Sequence, residues 1–374
     1  MKEIQNHLML VLFIIFVLTC AIQISYYLFI YLRFIFYLPK PVQHETQPVS
    51  VIVCARNEVI NLRKNLNEIL EQAYPSFEVV VVNDCSWDES GIFLDEMQKK
   101  YSHLKVVTIQ EQEKYRHAKK FALTLGIKAA SNEILLFTDA DCIPSGKNWL
   151  ASMQVHFNKE TELVLGYGGY RKEKGFLNKL IRFDAFMIAL QYFSFALAGM
   201  AYMGVGRNLA YRKSLFFRTK GFARHYHLIS GDDDLFVNEN STASNTAIEF
   251  HNDSFTYSDP KKTFSEWFVQ KVRHISTGRF YKFRHKLLLF MNSFSAVLFF
   301  LSFIALLILR YDWRIILSLY MIKTLIEVPV IYASSKRMRT TDLVWVFPLL
   351  EFFIALLQPL FFFSNLVTKQ KPWK

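Results

Sequence analysis

Long uncharged runs bracket a central region in which short apolar runs alternate with polar clusters. Leu8–Leu32 spans 25 residues without a formal charge and ends at Arg33. A helix needs about 20 apolar residues to cross a hydrocarbon core. The run exceeds the roughly 7–15 apolar residues of a cleaved signal. No small-residue cleavage site follows, and Val17-Leu18-Thr19-Cys20 is a poor lipoprotein signal, so an uncleaved anchor is expected. Leu287–Leu309 is a second uncharged run, of 23 residues, followed by the interrupted runs Ile315–Ala333 and Leu343–Val367. Lys323 and Glu327 fall four apart, on one helix face, with Pro329 just beyond. They predict a buried structural pair, with a lipid pathway as the alternative. The last run holds Pro348, Glu351, Gln358 and Pro359 and is expected to kink or re-enter. Phe183–Met203, with Asp184 and Gln191, is also apolar. If it crossed, the acidic motifs on either side of it would face opposite sides of the membrane, so a buried or interfacial helix is expected.

The central region changes period. Ser50–Cys54 is a short β-branched run, and Val59, Leu62, Leu66, Ile69, Leu70 and Ala73 then recur at helical spacing. Glu78–Val82, Leu104–Ile109 and Glu133–Phe137 read as further strands, with helices over Gly91–Lys100 and Lys119–Ala130 between them. Strand–helix alternation with continuously apolar strands predicts an α/β domain whose parallel sheet is covered on both faces.

Composition supports this division. The 374 residues are 52% apolar with 36 Phe, and mean hydropathy is +0.16. So apolar a chain is not intrinsically disordered, and four Cys are too few for a disulfide-framed domain. Lys and Arg number 44 against 32 acids, a net charge of +12. Arg33 and Lys40 after the anchor, and Lys336, Arg337 and Arg339 after the third run, place the central region on the cytoplasmic side of a cytoplasmic membrane. The terminal Lys369, Lys371 and Lys374 would fall outside if the last run spans, so its topology stays open. Lys261–Lys286 carries eight basic residues against Glu266 alone, interleaved with Phe264, Trp267, Phe268, Phe280, Tyr281 and Phe283. Nucleic-acid binding is the weaker reading of such a segment. Next to an apolar run, such a segment predicts an interfacial helix on anionic lipid. The division is therefore an anchor over 1–40, a sheet domain over 48–259, the basic segment over 260–286, and about three membrane helices over 287–374.

Polar clusters follow three of the strands: Ala55-Arg56-Asn57-Glu58, Asn83-Asp84-Cys85-Ser86-Trp87-Asp88 and Thr138-Asp139-Ala140-Asp141. Ligands of open α/β sheets bind beyond the carboxyl ends of strands, so three such clusters define one crevice. Asp88 alone reads as a helix cap. Asp139 and Asp141, one residue apart at a strand end, can share a hard cation such as Mg²⁺ or Mn²⁺. In Gly231-Asp232-Asp233-Asp234, crowded like charges raise one carboxylate's pKa and suit it to act as a base. A solvated capping turn is the alternative. Cys54, Cys85 and Cys142 read as reduced space-filling thiols, and His225 with His227 is weak as a metal pair. Gln270, Arg273 and His274 fall within five residues, so Gln270 and Arg273 or His274 can share a helix face.

In this order, the residues resemble the membrane-bound family 2 glycosyltransferases over roughly Val49 to His274. The likeness rests on Ala55-Arg56-Asn57-Glu58, Asn83-Asp84, Lys119 with Ala122-Leu123 and Gly126-Ile127, Thr138-Asp139-Ala140-Asp141, Gly206-Arg207-Asn208, Gly231-Asp232-Asp233 and Gln270-Lys271-Val272-Arg273-His274. The resemblance implies a GT-A fold, a Rossmann-like mostly parallel sheet, set between transmembrane helices. It implies inverting transfer from a nucleotide-diphosphate sugar, here expected to be a UDP-sugar. Ala55, Arg56 and Glu58 would wrap the base and ribose, Asp84 would read the base edge, and Lys119 would lie beside the nucleotide. Asp139 and Asp141 would hold Mg²⁺ or Mn²⁺ against the diphosphate. Asp233 best matches the catalytic base, with Asp232 the alternative. Gly206, Asn208, Gln270, Arg273 and His274 would border the acceptor and diphosphate. His274 stands where the family has Trp in Gln-x-x-Arg-Trp, which weighs against processive synthesis. The expected reaction is transfer of one sugar to a hydroxyl of a lipid or lipid-linked acceptor at the cytoplasmic face. A processive polysaccharide synthase and a catalytically silent nucleotide-sugar-binding scaffold are the alternatives. No pattern specifies an oligomeric state.

Overall fold

The computed structural model describes residues 2–38, 46–110 and 119–367. The flanking charges Lys40, Lys369, Lys371 and Lys374 lie outside the described residues. The chain forms two compact units: Met1–Tyr37, Lys174–Phe195 and Lys262–Thr368 make one, and Leu38–Glu173 with Ala196–Lys261 make the core of the other.

The second unit is α/β. Its ten described strands are β1 Val49–Ala55, β2 Phe77–Asp84, β3 Leu104–Ile109, β4 Ile134–Asp139, β5 Cys142–Pro144, β6 Leu163–Leu165, β7 Gly168–Tyr170, β8 Leu209–Arg212, β9 Thr246–Ile248 and β10 Thr256–Ser258. Seven form a mostly parallel sheet in the order β3-β2-β1-β4-β8-β6-β9, with β8 antiparallel to both neighbours. The other three form a small sheet in the order β5-β10-β7. Val49, Val51 and Val53 of β1 and Val79 and Val81 of β2 bury one face with Leu62, Leu66 and Ile69 of the Val59–Leu70 helix. On the opposite face, the Lys119–Ala129 helix approaches so closely that a Cβ at Gly126 would stand 2.9 Å from both Ile52 and Val82. Glycine there permits the contact. Two strands run further than the apolar pattern alone predicts. Asn83 and Asp84 pair with Thr108 and Ile109, and Asp139 pairs with Cys54, so these carboxylates end their strands rather than following them.

The first unit is helical. The described helices long and apolar enough to cross a membrane are Glu3–Phe36, Phe176–Leu197, Phe283–Ile308, Trp313–Arg337 and Thr341–Val367. Within the first, the backbone loosens to a π-helical turn at Tyr27–Tyr31. Lys323 pairs with Glu327 at 2.7 Å as its spacing predicts, and the ammonium also reaches Glu351 at 2.8 Å. Glu351 is therefore a partner rather than an interruption. The last stretch enters through a short 3₁₀ turn, Thr341–Val346, and continues as one helix, Phe347–Val367, through Pro359. It does not break into a re-entrant pair. Phe176–Leu197 is the most enclosed of the five, with 61% of its apolar window buried against 22–28% for the others. Two of its charges are held within this unit: Arg182 makes two bonds to Asp342, at 2.7 and 2.8 Å, and Asp184 accepts from Lys271 at 2.8 Å.

Candidate functional site

The loops after β1 and β2 are stitched together by backbone-to-side-chain bonds. Asn57 adopts a φ of 54°, which turns its main-chain N–H to Ser86 Oγ and its amide oxygen to the Trp87 N–H, both at 3.0 Å. Asp88 accepts from Ser90 N and from Val59 N, so it caps the first turn of the Val59–Leu70 helix from the neighbouring loop. This turn aims Arg56 at Asp84, 4.0 Å apart, with the Asp84 carboxylate 1% exposed. Glu58 accepts a bond from Asn61 Nδ2 on the same turn.

Beyond β4 the charges converge. Lys119 Nζ lies 2.8 Å from Asp139 Oδ1 and 3.3 Å from Asp232 Oδ2. Asp233 accepts from Gly206 N through Oδ2 and from Asp234 N through Oδ1, both at 2.7 Å. A small cavity at this point is lined by Lys119, Thr138, Asp139, Gly206, Asp232 and Asp233. Two clusters from opposite ends of the region, 139 and 232–233, thus share one crevice. Burial, then the charges of Asp232 and Asp234, push the Asp233 carboxyl up to about 7, against Lys119 and the Gly206 N–H, which pull it down. Burial disfavours the Lys119 ammonium, but Asp139, Asp232 and Asp233 outweigh it and hold its pKa well above the lysine range. Burial and the Asp139 charge raise Asp141.

Among the described residues, Asp139, Asp141 and Cys142 present ligand atoms within 4.8 Å of one another. Burial keeps the Cys142 thiol protonated, and it donates towards Asp141, so the anionic donors are carboxylate oxygens. Such a set, with like charges already crowding Asp141, fits a hard divalent cation such as Mg²⁺ or Mn²⁺. His225 is engaged with Glu239 at 2.8 Å, outside that group.

One expected site residue does not reach the crevice. Asn208 is fully buried, accepts from Trp149 Nε1 at 3.0 Å, and donates to the carbonyls of Tyr167 and Ser254. Its amide is consumed in tying β6, β8 and the β10 approach together. Gln270, Arg273 and His274 belong to the helical unit, on the Phe264–Ile275 helix. Gln270 and Arg273 are half-buried and His274 is exposed. Gln270 Oε1 has no hydrogen-bond partner among the described residues.

Two residues escaped the sequence reading. Lys120, fully buried, donates to the carbonyls of His225, Leu228 and Ser230 at 2.6, 3.1 and 2.7 Å. All three ammonium protons therefore hold the loop that leads into Asp232 and Asp233. Arg207 lies over the Tyr170 ring, 4.5 Å from its centre. The only signal for Lys120 was the doubling of lysine at a helix start, and Arg207 was hidden inside a motif read for its neighbours.

Residues 50–218 match the family model described as Glycosyl transferase family 2. The sheet unit carries a family 2 glycosyltransferase domain. Over 245 residues the chain is 25% identical to "Probable glycosyltransferase YdaM" of Bacillus subtilis, covering 61% of this chain and 54% of that protein. It is 35% identical over 104 residues to "Glycosyltransferase AglE" of Haloferax volcanii, covering 27% of this chain and 33% of that protein. A 106-residue stretch is 29% identical to "Poly-beta-1,6-N-acetyl-D-glucosamine synthase" of Staphylococcus epidermidis, covering 28% of this chain and 24% of that protein. The chain thus spans about half the length of the first of these relatives and less of the others. Among solved structures, mannosyltransferase PcManGT from Pyrobaculum calidifontis, in complex with GDP-Man and Mn²⁺, aligns over 96% of this chain and 100% of its own with a TM-score of 0.59. At 18% identity this likeness establishes the GT-A fold of the family 2 domain.

Proposed function

We propose that this chain is an inverting, metal-assisted glycosyltransferase. In this reading it moves one sugar from a nucleotide-diphosphate donor, a UDP-sugar in the first instance, to a hydroxyl of a lipid or lipid-linked acceptor at the cytoplasmic membrane face. The observation that carries the reading is Asp233, a carboxylate poised near neutrality in the same cavity as Asp139 and Lys119. A general base works best when its pKa lies near the operating pH.

Asp233 takes the proton of the acceptor hydroxyl as that oxygen bonds to the anomeric carbon and the bond from carbon to the diphosphate oxygen breaks. The proton then passes from Asp233 to solvent, and the electron pair leaves with the nucleoside diphosphate. One displacement inverts the configuration. Gly206 N–H and Asp234 N–H fix the carboxylate's direction, and Lys120 holds the loop that delivers it. Asp139 and Asp141 would hold the divalent cation, which supplies Lewis-acid stabilisation of the leaving diphosphate. Arg56, Glu58 and Asp84 form the base-and-ribose end, with Ala55 closing the strand that leads into it. On the family motif alone, Arg273 and Gln270 serve the diphosphate and His274 the acceptor.

A processive synthase is the second reading, and the Staphylococcus relative favours it. His274 in place of Trp removes a stacking surface for a growing chain and favours single transfer. The silent-scaffold reading is disfavoured by the intact charge set around Asp233. The test is nucleotide release by the full chain in lipid nanodiscs with Mg²⁺ or Mn²⁺ and a panel of UDP- and GDP-sugars, followed by mass spectrometry of the lipids. One discrete sugar increment on a lipid, lost in Asp233→Asn, supports single transfer. A ladder of increments establishes the synthase, and binding without release overturns the enzyme reading.

A further inference from the structure

The small sheet sets Cys142, Ser258 and Tyr170 side by side, because Ser258 pairs in register with both of the others. Arg207 lies along this row. Its guanidinium stacks on Tyr170, and Nη1 donates to Gly169 O at 3.3 Å and Ser258 Oγ at 3.4 Å, both long for a charged donor. Ser258 Oγ is 3.1 Å from Cys142 Sγ, which is 3.4 Å from Asp141 Oδ1. A continuous polar run therefore leads from the guanidinium to the carboxylates assigned to the cation. A Cβ at Gly168 would stand 3.3 Å from Arg207 Nε, so glycine keeps open the groove in which the guanidinium lies.

Arg207 is nevertheless not a saturated structural residue. Among the described residues no carboxylate lies within ion-pair distance of it, and its Nε and Nη2 donors make no hydrogen bond. A counter-ion for Asp141 would close on it; this guanidinium is instead held by a ring and two weak bonds, with half its fork open. Arginine's planar fork is suited to taking an oxyanion through two parallel bonds.

We propose that Arg207 is an oxyanion subsite for the donor, binding an oxygen of either its diphosphate or a carboxylate on its sugar beside Asp139 and Asp141. The inference rests on the reading of the crevice as a nucleotide-sugar site. It is tested by calorimetry on the full chain in nanodiscs with Mn²⁺, using UDP, GDP, UDP-glucose, GDP-mannose and UDP-glucuronate as probes. Removing a hydrogen-bonded charge should weaken binding about 10- to 100-fold, so Arg207→Gln is expected to lose that much affinity while Arg207→Lys loses less. An equal loss for a nucleoside diphosphate and its sugar conjugate assigns the oxygen to phosphate. A loss confined to UDP-glucuronate assigns it to a sugar carboxylate. Wild-type affinity of Arg207→Gln for every probe overturns the subsite while leaving the donor reading intact. If wild type itself binds none of the probes, both readings fall. Should Arg207→Gln not fold, Tyr170→Leu keeps the charge and removes its platform. Weaker binding there supports the subsite and unchanged binding overturns it.

Discussion

Each unit of this protein holds a lysine between two acids, and the two arrangements behave differently. In the helical unit Lys323 reaches Glu327 at 2.7 Å and Glu351 at 2.8 Å, with exposures of 1%, 0% and 13%. The rings of Phe299 and Phe300 close over the ammonium. In the sheet unit Lys119 reaches Asp139 at 2.8 Å and Asp232 at 3.3 Å, with exposures of 19%, 32% and 10%. There a third carboxylate, Asp233, adds to the charge acting on the ammonium, and its own carboxyl is pushed upward in pKa. A cluster sealed among rings stabilises a bundle. One left open, with surplus negative charge, takes up protons and cations. The lesson is that a bridging lysine marks chemistry only when charge and access remain to be completed.

The comparison is broken most sharply at Asp233. Asp233→Asn should lower turnover about 10²–10⁴-fold, the usual worth of a positioned base, with nucleotide affinity retained in calorimetry. The two lysines should then part company. Lys323→Met strands buried carboxylates and is expected to cost about 3–5 kcal/mol, read as a large drop in the detergent melting temperature. Lys119→Met should melt close to wild type yet lose about 10²-fold in turnover, the scale of one removed preorganised donor. Equal melting losses in the two variants would erase the distinction drawn here. Lys120→Met should fall between them. Orphaning buried carbonyls is expected to cost about 1–3 kcal/mol, and turnover should drop further than melting, because the 225–230 loop carries Asp233.

The smallest effect is the acid limb of the pH profile. Asp233 must be unprotonated to accept a proton, and its pKa is raised to about 7. Turnover should therefore rise with pH, being about tenfold lower at pH 6 than on the plateau, one pH unit being one decade of base. A limb centred near the ordinary carboxylate range would place the base elsewhere.

Sequence reading went furthest where neighbours in the chain are neighbours in space. The long uncharged runs, the β-branched runs and the position of carboxylates at strand ends were all local patterns, and the seven-stranded sheet realises them with strand ends shifted by one or two residues. Lys323 and Glu327 were legible because four residues return a helix to the same face. Glu351, 28 residues from Lys323, was not. Asn208 and Arg207 are adjacent, and the motif favoured the former. Packing turned the Asn208 amide into the core and laid the Arg207 guanidinium along the small sheet. Lys119 and Lys120 also part: one meets side-chain carboxylates, the other meets carbonyls up to 110 residues away.

Spacing and period alone determined the class of fold, the membrane runs and the set of acids available for chemistry. Tertiary structure alone decided that Asp233 takes the Gly206 N–H, that Lys119 is outnumbered by acids, and that Arg207 keeps half its fork open. The physical reason is that charge–charge energy depends on distance and on the dielectric between groups. Both are set by packing between segments remote in sequence, which local pattern does not encode.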